Sequence, residues 1–80
     1  MTRDEIHQKL TGVFRDVFDN PGLEISELTT AQDVVEWDSL MHVNLVVAVE
    51  KAFGVRFTTK EIKGLADVGD LMQLIGRRAK

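Results

Sequence analysis

Apolar and polar positions along this chain follow a helical period in its first and last stretches and lose it in between. Ile6, Leu10, Val13, Phe14, Val17 and Phe18 recur at spacings of three and four, which gathers them on one face of a helix. Thr2-Arg3-Asp4-Glu5 opens that stretch as a capping box, the Glu5 side chain reaching back to the Thr2 amide. The pattern predicts a helix from about residue 3 to 18, stopped by the turn chemistry of Asn20-Pro21-Gly22. Residues 19 to 37 keep no sustained period, with Leu23, Ile25, Leu28, Val34 and Val35 scattered among Ser, Thr, Asp and Glu. A loop this long is uncommon in a small domain and often functional, and its apolar residues are expected to pin it across the helix ends.

The next stretch is apolar nearly all round: Leu40, Met41, Val43, Leu45, Val46, Val47, Ala48, Val49, Ala52 and Phe53. It predicts a second helix, capped by Asp38 or Ser39, running to about Phe53 and ended by Gly54. A helix apolar on every side is buried on more than one side. A chain of 80 residues cannot enclose it fully, so part of this surface is expected to face a ligand or partner. Val55-Arg56-Phe57 reads as extended, and Thr58-Thr59-Lys60-Glu61 is a second capping box opening a short helix that Gly64 closes. Asp67 is placed to cap a last helix whose inner face is Val68, Leu71, Met72, Leu74 and Ile75, with Arg77, Arg78 and Lys80 at its end. The predicted fold is all-α: four helices in one domain spanning residues 1–80, with a long first connection and a short third helix.

Composition narrows the chemistry. The chain has no cysteine, which excludes disulfides and thiolate metal sites. His7 and His42 stand apart without a carboxylate cluster, so no metal site is expected. No apolar run approaches the about 20 residues of a membrane span, and the charged start is no signal peptide. No membrane partner is expected, and the cytoplasm is the expected compartment. Charge is uneven: eight acids and no Lys or Arg lie from Asp16 to Glu50, against seven bases and three acids from Lys51 onward. The acidic middle argues against nucleic acid and favours basic protein surfaces.

The chemistry concentrates at Trp37-Asp38-Ser39-Leu40. A hydrolytic serine needs a base in reach and an oxyanion hole. His42 and Asp38 are near in sequence, but nothing on one helix turn encloses a substrate, and there is no Gly-x-Ser-x-Gly elbow. No catalytic residue is therefore assigned. Asp and Ser are both good caps, and one cap needs only one of them. If Asp38 caps, the Ser39 hydroxyl is left free beside a carboxylate at the positive end of a helix dipole, suited to receive a phosphate.

At these residues the chain resembles the acyl carrier protein family, in which Asp-Ser-Leu at the start of the second helix carries 4′-phosphopantetheine on its serine. Here the segment is Asp38-Ser39-Leu40, and its continuation to Val49-Glu50-Lys51-Ala52-Phe53-Gly54-Val55 is equally family-like. The resemblance covers the whole chain and implies the acyl-carrier-type four-helix bundle, with no chemistry performed by the domain itself. It implies that a phosphopantetheinyl transferase moves the arm from coenzyme A onto Ser39, with Asp38 helping to position a magnesium ion and the phosphate, and Leu40 completing the motif. The arm's thiol then holds cargo as a thioester for activating ligases, synthases or transferases. By the same analogy, Leu45, Val49, Phe57, Ile62 and Leu65 are candidates for lining a shelter between the second and third helices.

Departures from the fatty-acid-synthesis carriers shift the expected pathway. Met41 and Asn44 stand where acids are usual in those carriers, Lys51 replaces another, and Trp37 precedes the motif where they have small residues. The chain looks more like small stand-alone carriers of specialised pathways, polyketide-like or other secondary ones. Its span from Met1 to Arg-Arg-Ala-Lys is read as free-standing and monomeric. The expected partner face is Leu40, Met41, Val43, Asn44 and Val47, acting through apolar contacts more than charge. Trp37 is expected to pack the loop against the second helix or to flank the arm. Three alternatives stay open: a carrier of a fatty acid pathway, an aminoacyl or peptidyl carrier, and an unmodified helical adaptor that binds protein through the second helix.

Overall fold

The computed structural model describes residues 2–30, 32–34 and 37–78. Within them the chain forms α1 (Arg3–Val17), α2 (Ser39–Phe53), α3 (Thr59–Lys63) and α4 (Val68–Arg78). No strand occurs among the described residues, and the long connection falls between α1 and α2 as the pattern predicted.

Local chemistry sets the helix ends. Thr2 and Glu5 form the reciprocal capping box at the start of α1, and Thr58 and Glu61 form the same device at α3. Both carboxyls are held below the ordinary glutamate value, chiefly by the backbone N–H each accepts, from Thr2 and from Thr58. Gly54 ends α2 with φ 66°, the left-handed conformation that favours glycine. Asp67 caps α4 by accepting from the Asp70 N–H at 2.9 Å.

α1 packs against both α2 and α4. The core joins Ile6, Leu10, Phe14 and Phe18 to Leu45 and Val49 of α2 and to Val68, Leu71, Met72 and Ile75 of α4, with Ile25 and Val34 added from the loop. Each such side chain contributes roughly 1.5–3 kcal/mol of transfer free energy. α3 differs, since none of its residues is buried. It is held by polar ties: Arg78 donates to the Arg56 carbonyl at 2.7 Å and pairs with Glu61, while Glu50 accepts the Phe57 N–H at 2.9 Å.

The loop is pinned by its apolar residues as expected, except at Leu28. Ile25 and Val34 are buried and Leu23 packs against the core. Leu28 is 81% exposed, because it stands in the middle of a turn closed by the Thr29 N–H donating to the Ser26 carbonyl at 3.1 Å. Around Leu28, main-chain atoms make the attachment. The Val68 N–H donates to the Thr29 carbonyl and the Gly69 N–H to the Glu27 carbonyl, both at 2.8 Å. These bonds satisfy two donors that the start of α4 would otherwise leave free. Val35 and Glu36 lie outside the described residues, so the expected pinning by Val35 is not described.

Candidate functional site

The two candidate caps of α2 separate cleanly. Asp38 is extended, with φ −108° and ψ −172°, and its Oδ1 accepts the Met41 N–H at 2.9 Å. Ser39 is the first residue of the helix. Its side chain is exposed, and its hydroxyl makes no hydrogen bond among the described residues. The cap is therefore carried by the carboxylate, and the serine hydroxyl is left at the positive end of a 15-residue helix.

Beside it lies an open cleft of about 790 Å³. Trp37, Asp38, Ser39, His42 and Val43 line one side, and Thr59, Ile62, Lys63 and Leu65 line the other. The cleft thus runs between the first turn of α2 and the short helix α3. Of the five residues expected to shelter cargo, Ile62 and Leu65 line it. Leu45 and Val49 are fully buried in the core, and Phe57 packs against that core instead. An all-round apolar helix gives no phase from which to tell its core face from its open face, which is why the expectation mixed the two.

Trp37 touches α2 as expected, and α1 as well. Its ring meets Phe14 edge-on at 5.4 Å between centroids and leans on Phe18 at 6.3 Å, packing the end of the loop onto α1. It also stacks near His42, 6.0 Å between centroids at 19°, and reaches the cleft. The indole N–H donates to His42 Nδ1 at 3.0 Å. That nitrogen is thereby occupied, and Nε2 stands 3.4 Å from the Ile62 carbonyl, so the imidazole is not held as a base for Ser39.

On the outer side of α2, Leu40 is 71%, Val43 57% and Val47 44% exposed. Asn44 is exposed with them, while Met41 is half-buried and packs against the core. Four of the five residues expected at a partner face are therefore open, and Met41 serves mainly packing. Among the described residues no group of three or more His, Asp or Glu could hold a metal ion, and no helix is long and apolar enough to cross a membrane.

A family model described as the phosphopantetheine attachment site matches residues 8–75. The chain belongs to this family of acyl carrier proteins. It is 33% identical over 75 residues to the acyl carrier protein of Acidothermus cellulolyticus, covering 94% of this chain and 89% of that one. It is 31% identical over 78 residues to the meromycolate extension acyl carrier protein of Mycobacterium leprae, covering 94% of this chain and 65% of that one. Among solved structures, the solution structure of a holo acyl carrier protein from Geobacter metallireducens superposes with a TM-score of 0.86 at 37% identity, covering 91% of this chain and 84% of that chain.

A family member of this kind is an acyl carrier whose prosthetic group is 4′-phosphopantetheine. The residues present fit that group: an exposed serine hydroxyl at a helix N-terminus, and next to it a cleft whose walls include Trp37, Val43, Ile62 and Leu65. When bound, the group supplies a thiol on a long arm that holds acyl cargo as a thioester.

Proposed function

We propose that Ser39 is the attachment point and that the chain is a carrier for a specialised pathway. The observation that carries the first half is the division of labour at the start of α2: Asp38 makes the cap, so the exposed Ser39 hydroxyl has no structural duty. The second Asp38 oxygen takes part in no hydrogen bond among the described residues. It is available to a magnesium ion brought by the transferase, while the α2 dipole favours the incoming phosphate. Leu40, exposed beside the serine, gives that enzyme an apolar contact.

The specialised pathway is favoured by the surface of α2. Its exposed residues are Ser39, Leu40, Val43, Asn44, Val47 and Lys51, with no carboxylate among them. Glu50 is half-buried and accepts from Phe57. Apart from Glu50, the acids from Asp16 to Glu50 precede α2 in sequence. Polyketide-like or related secondary enzymes are the expected partners, with ligases that activate the cargo.

Incubation with coenzyme A and a broad-specificity phosphopantetheinyl transferase will add one phosphopantetheine to the intact mass, and Ser39→Ala will abolish the gain. An unmodified chain with every transferase tried would sink the reading. Loading with amino-acid-activating against acyl-activating ligases separates the aminoacyl carrier from the acyl carrier.

A further inference from the structure

We propose that Trp37 and His42 are positioning residues for the attachment at Ser39, forming a hydrogen-bonded staple that fixes how the chain enters α2. Asp38 is the N-cap of α2, so Trp37 is the residue before the cap and His42 the fourth residue of the helix. At these two positions an apolar pair commonly clamps a helix entry. Here the pair is aromatic and polar. The rings lie 6.0 Å apart at 19°, and the indole N–H donates to His42 Nδ1 at 3.0 Å. An indole N–H can only donate, so Nδ1 is the acceptor and the imidazole hydrogen is on Nε2, facing the Ile62 carbonyl at 3.4 Å. A hydrogen bond is directional, so this staple holds an orientation that apolar contact alone would leave freer.

Ser39 lies between the two ends of the staple. Only Asp38 separates it from Trp37, and Asp38 is extended while Ser39 is already helical. The chain therefore turns from loop to helix within one residue. Trp37 is held from three sides. Its main-chain N–H donates to the carbonyl of buried Val34 at 3.0 Å, its ring meets fully buried Phe14 of α1 edge-on, and its indole N–H reaches α2. The Asp38 cap acts within α2, on the Met41 N–H, whereas the staple ties that first turn to the buried face of α1. The aim of this turn matters to the transfer at Ser39, the reading on which this inference rests. In that transfer a bond forms between Ser39 Oγ and phosphorus as the pyrophosphate P–O bond of coenzyme A breaks. Adenosine 3′,5′-bisphosphate leaves, and the hydroxyl proton passes to a base of the transferase. A hydroxyl misplaced by about 1 Å can cost such a step up to about 100-fold.

The test uses the full chain labelled with ¹⁵N, which has a single tryptophan and hence one indole resonance. His42→Phe and Trp37→Phe each keep an aromatic ring and remove the hydrogen bond. His42→Asn keeps it, because the asparagine side-chain oxygen is an acceptor at the place of Nδ1. In His42→Phe the indole resonance is expected to move, and its hydrogen to exchange with water about 2- to 10-fold faster, the worth of one hydrogen bond. In His42→Asn both return toward the parent. An unmoved indole resonance in His42→Phe would overturn the staple. Transfer from coenzyme A by a broad-specificity transferase is then timed by intact mass across carrier concentrations. In both Phe variants kcat is expected to fall about 3- to 30-fold with KM within about 2-fold, and the double variant to be no slower than either. His42→Asn is expected to recover most of the loss. Unchanged kcat, a rise in KM alone (the mark of a docking contact), or equal defects in His42→Phe and His42→Asn would each overturn the positioning role. A parent chain that takes up no arm sinks the attachment reading and the positioning role with it. Uptake at one rate by parent and Phe variants sinks the positioning role alone.

Discussion

Stability and chemistry at the start of α2 should come apart by mutation, because the structure gives them to adjacent residues. Asp38→Ala removes the side-chain oxygen that accepts the Met41 N–H, a cap worth about 1 kcal/mol. It also removes a negative charge from the positive end of the helix, worth about 0.3–1 kcal/mol when exposed. The expected loss is about 1–2 kcal/mol, or roughly 5–15 °C in melting temperature for a domain of this size. Asp38→Asn keeps the acceptor and should lose only the charge contribution. Ser39→Ala replaces an exposed helical serine by the best helix former, so its stability should stay within about 0.5 kcal/mol of the parent while attachment disappears. Urea and thermal unfolding followed by circular dichroism measure the first quantity, and intact mass measures the second. If Ser39→Ala cost as much stability as Asp38→Ala, the assignment of the cap to the carboxylate would be wrong.

Four further substitutions probe the frame around the site. Alanine at Gly69 places a methyl group 2.9 Å from the Glu27 carbonyl and should cost about 1–3 kcal/mol in urea unfolding, whereas alanine at Gly12, mid-helix with open space around it, should stabilise by about 0.5–1 kcal/mol. Phe14→Ala, beneath both Phe18 and Trp37, should lose about 3–5 kcal/mol and shift Trp37 emission to the red before the unfolding transition. Glu61→Gln keeps the capping geometry and removes the charge. The Glu61 carboxyl titrates lower folded than unfolded, so its contribution is full above the unfolded value and fades as pH falls through the folded one. The stability gap between Glu61→Gln and parent should therefore narrow in acid, as paired urea titrations at neutral pH and near pH 3 will measure.

Much of the fold was legible because its signals are local. The boxes Thr2–Glu5 and Thr58–Glu61, the glycine stop at Gly54 and the inner face of α4 each lie within a few residues, and the structure keeps all of them. The serine motif marked the region, yet residue type alone could not choose between Asp38 and Ser39 as the cap; only the backbone angles did. Contacts across long separations were invisible. Trp37 and His42 reach Ile62, 20 residues on from the histidine, and no period connects them. Of the loop's apolar residues, Ile25, Val34 and Leu23 reach the core and Leu28 does not. At the Leu28 turn the attachment lies in the Glu27 and Thr29 carbonyls, which every residue type possesses.

That attachment separates where the long connection runs from what it is made of. Because the ties to α4 are main-chain to main-chain, the exposed Leu28 side chain can be exchanged without moving the path, provided position 69 stays free of a Cβ. The turn carrying Leu28 therefore behaves as an interchangeable label on a fixed mount. Its surface can be rewritten to attract or repel other proteins while the geometry at Ser39 stays as it is.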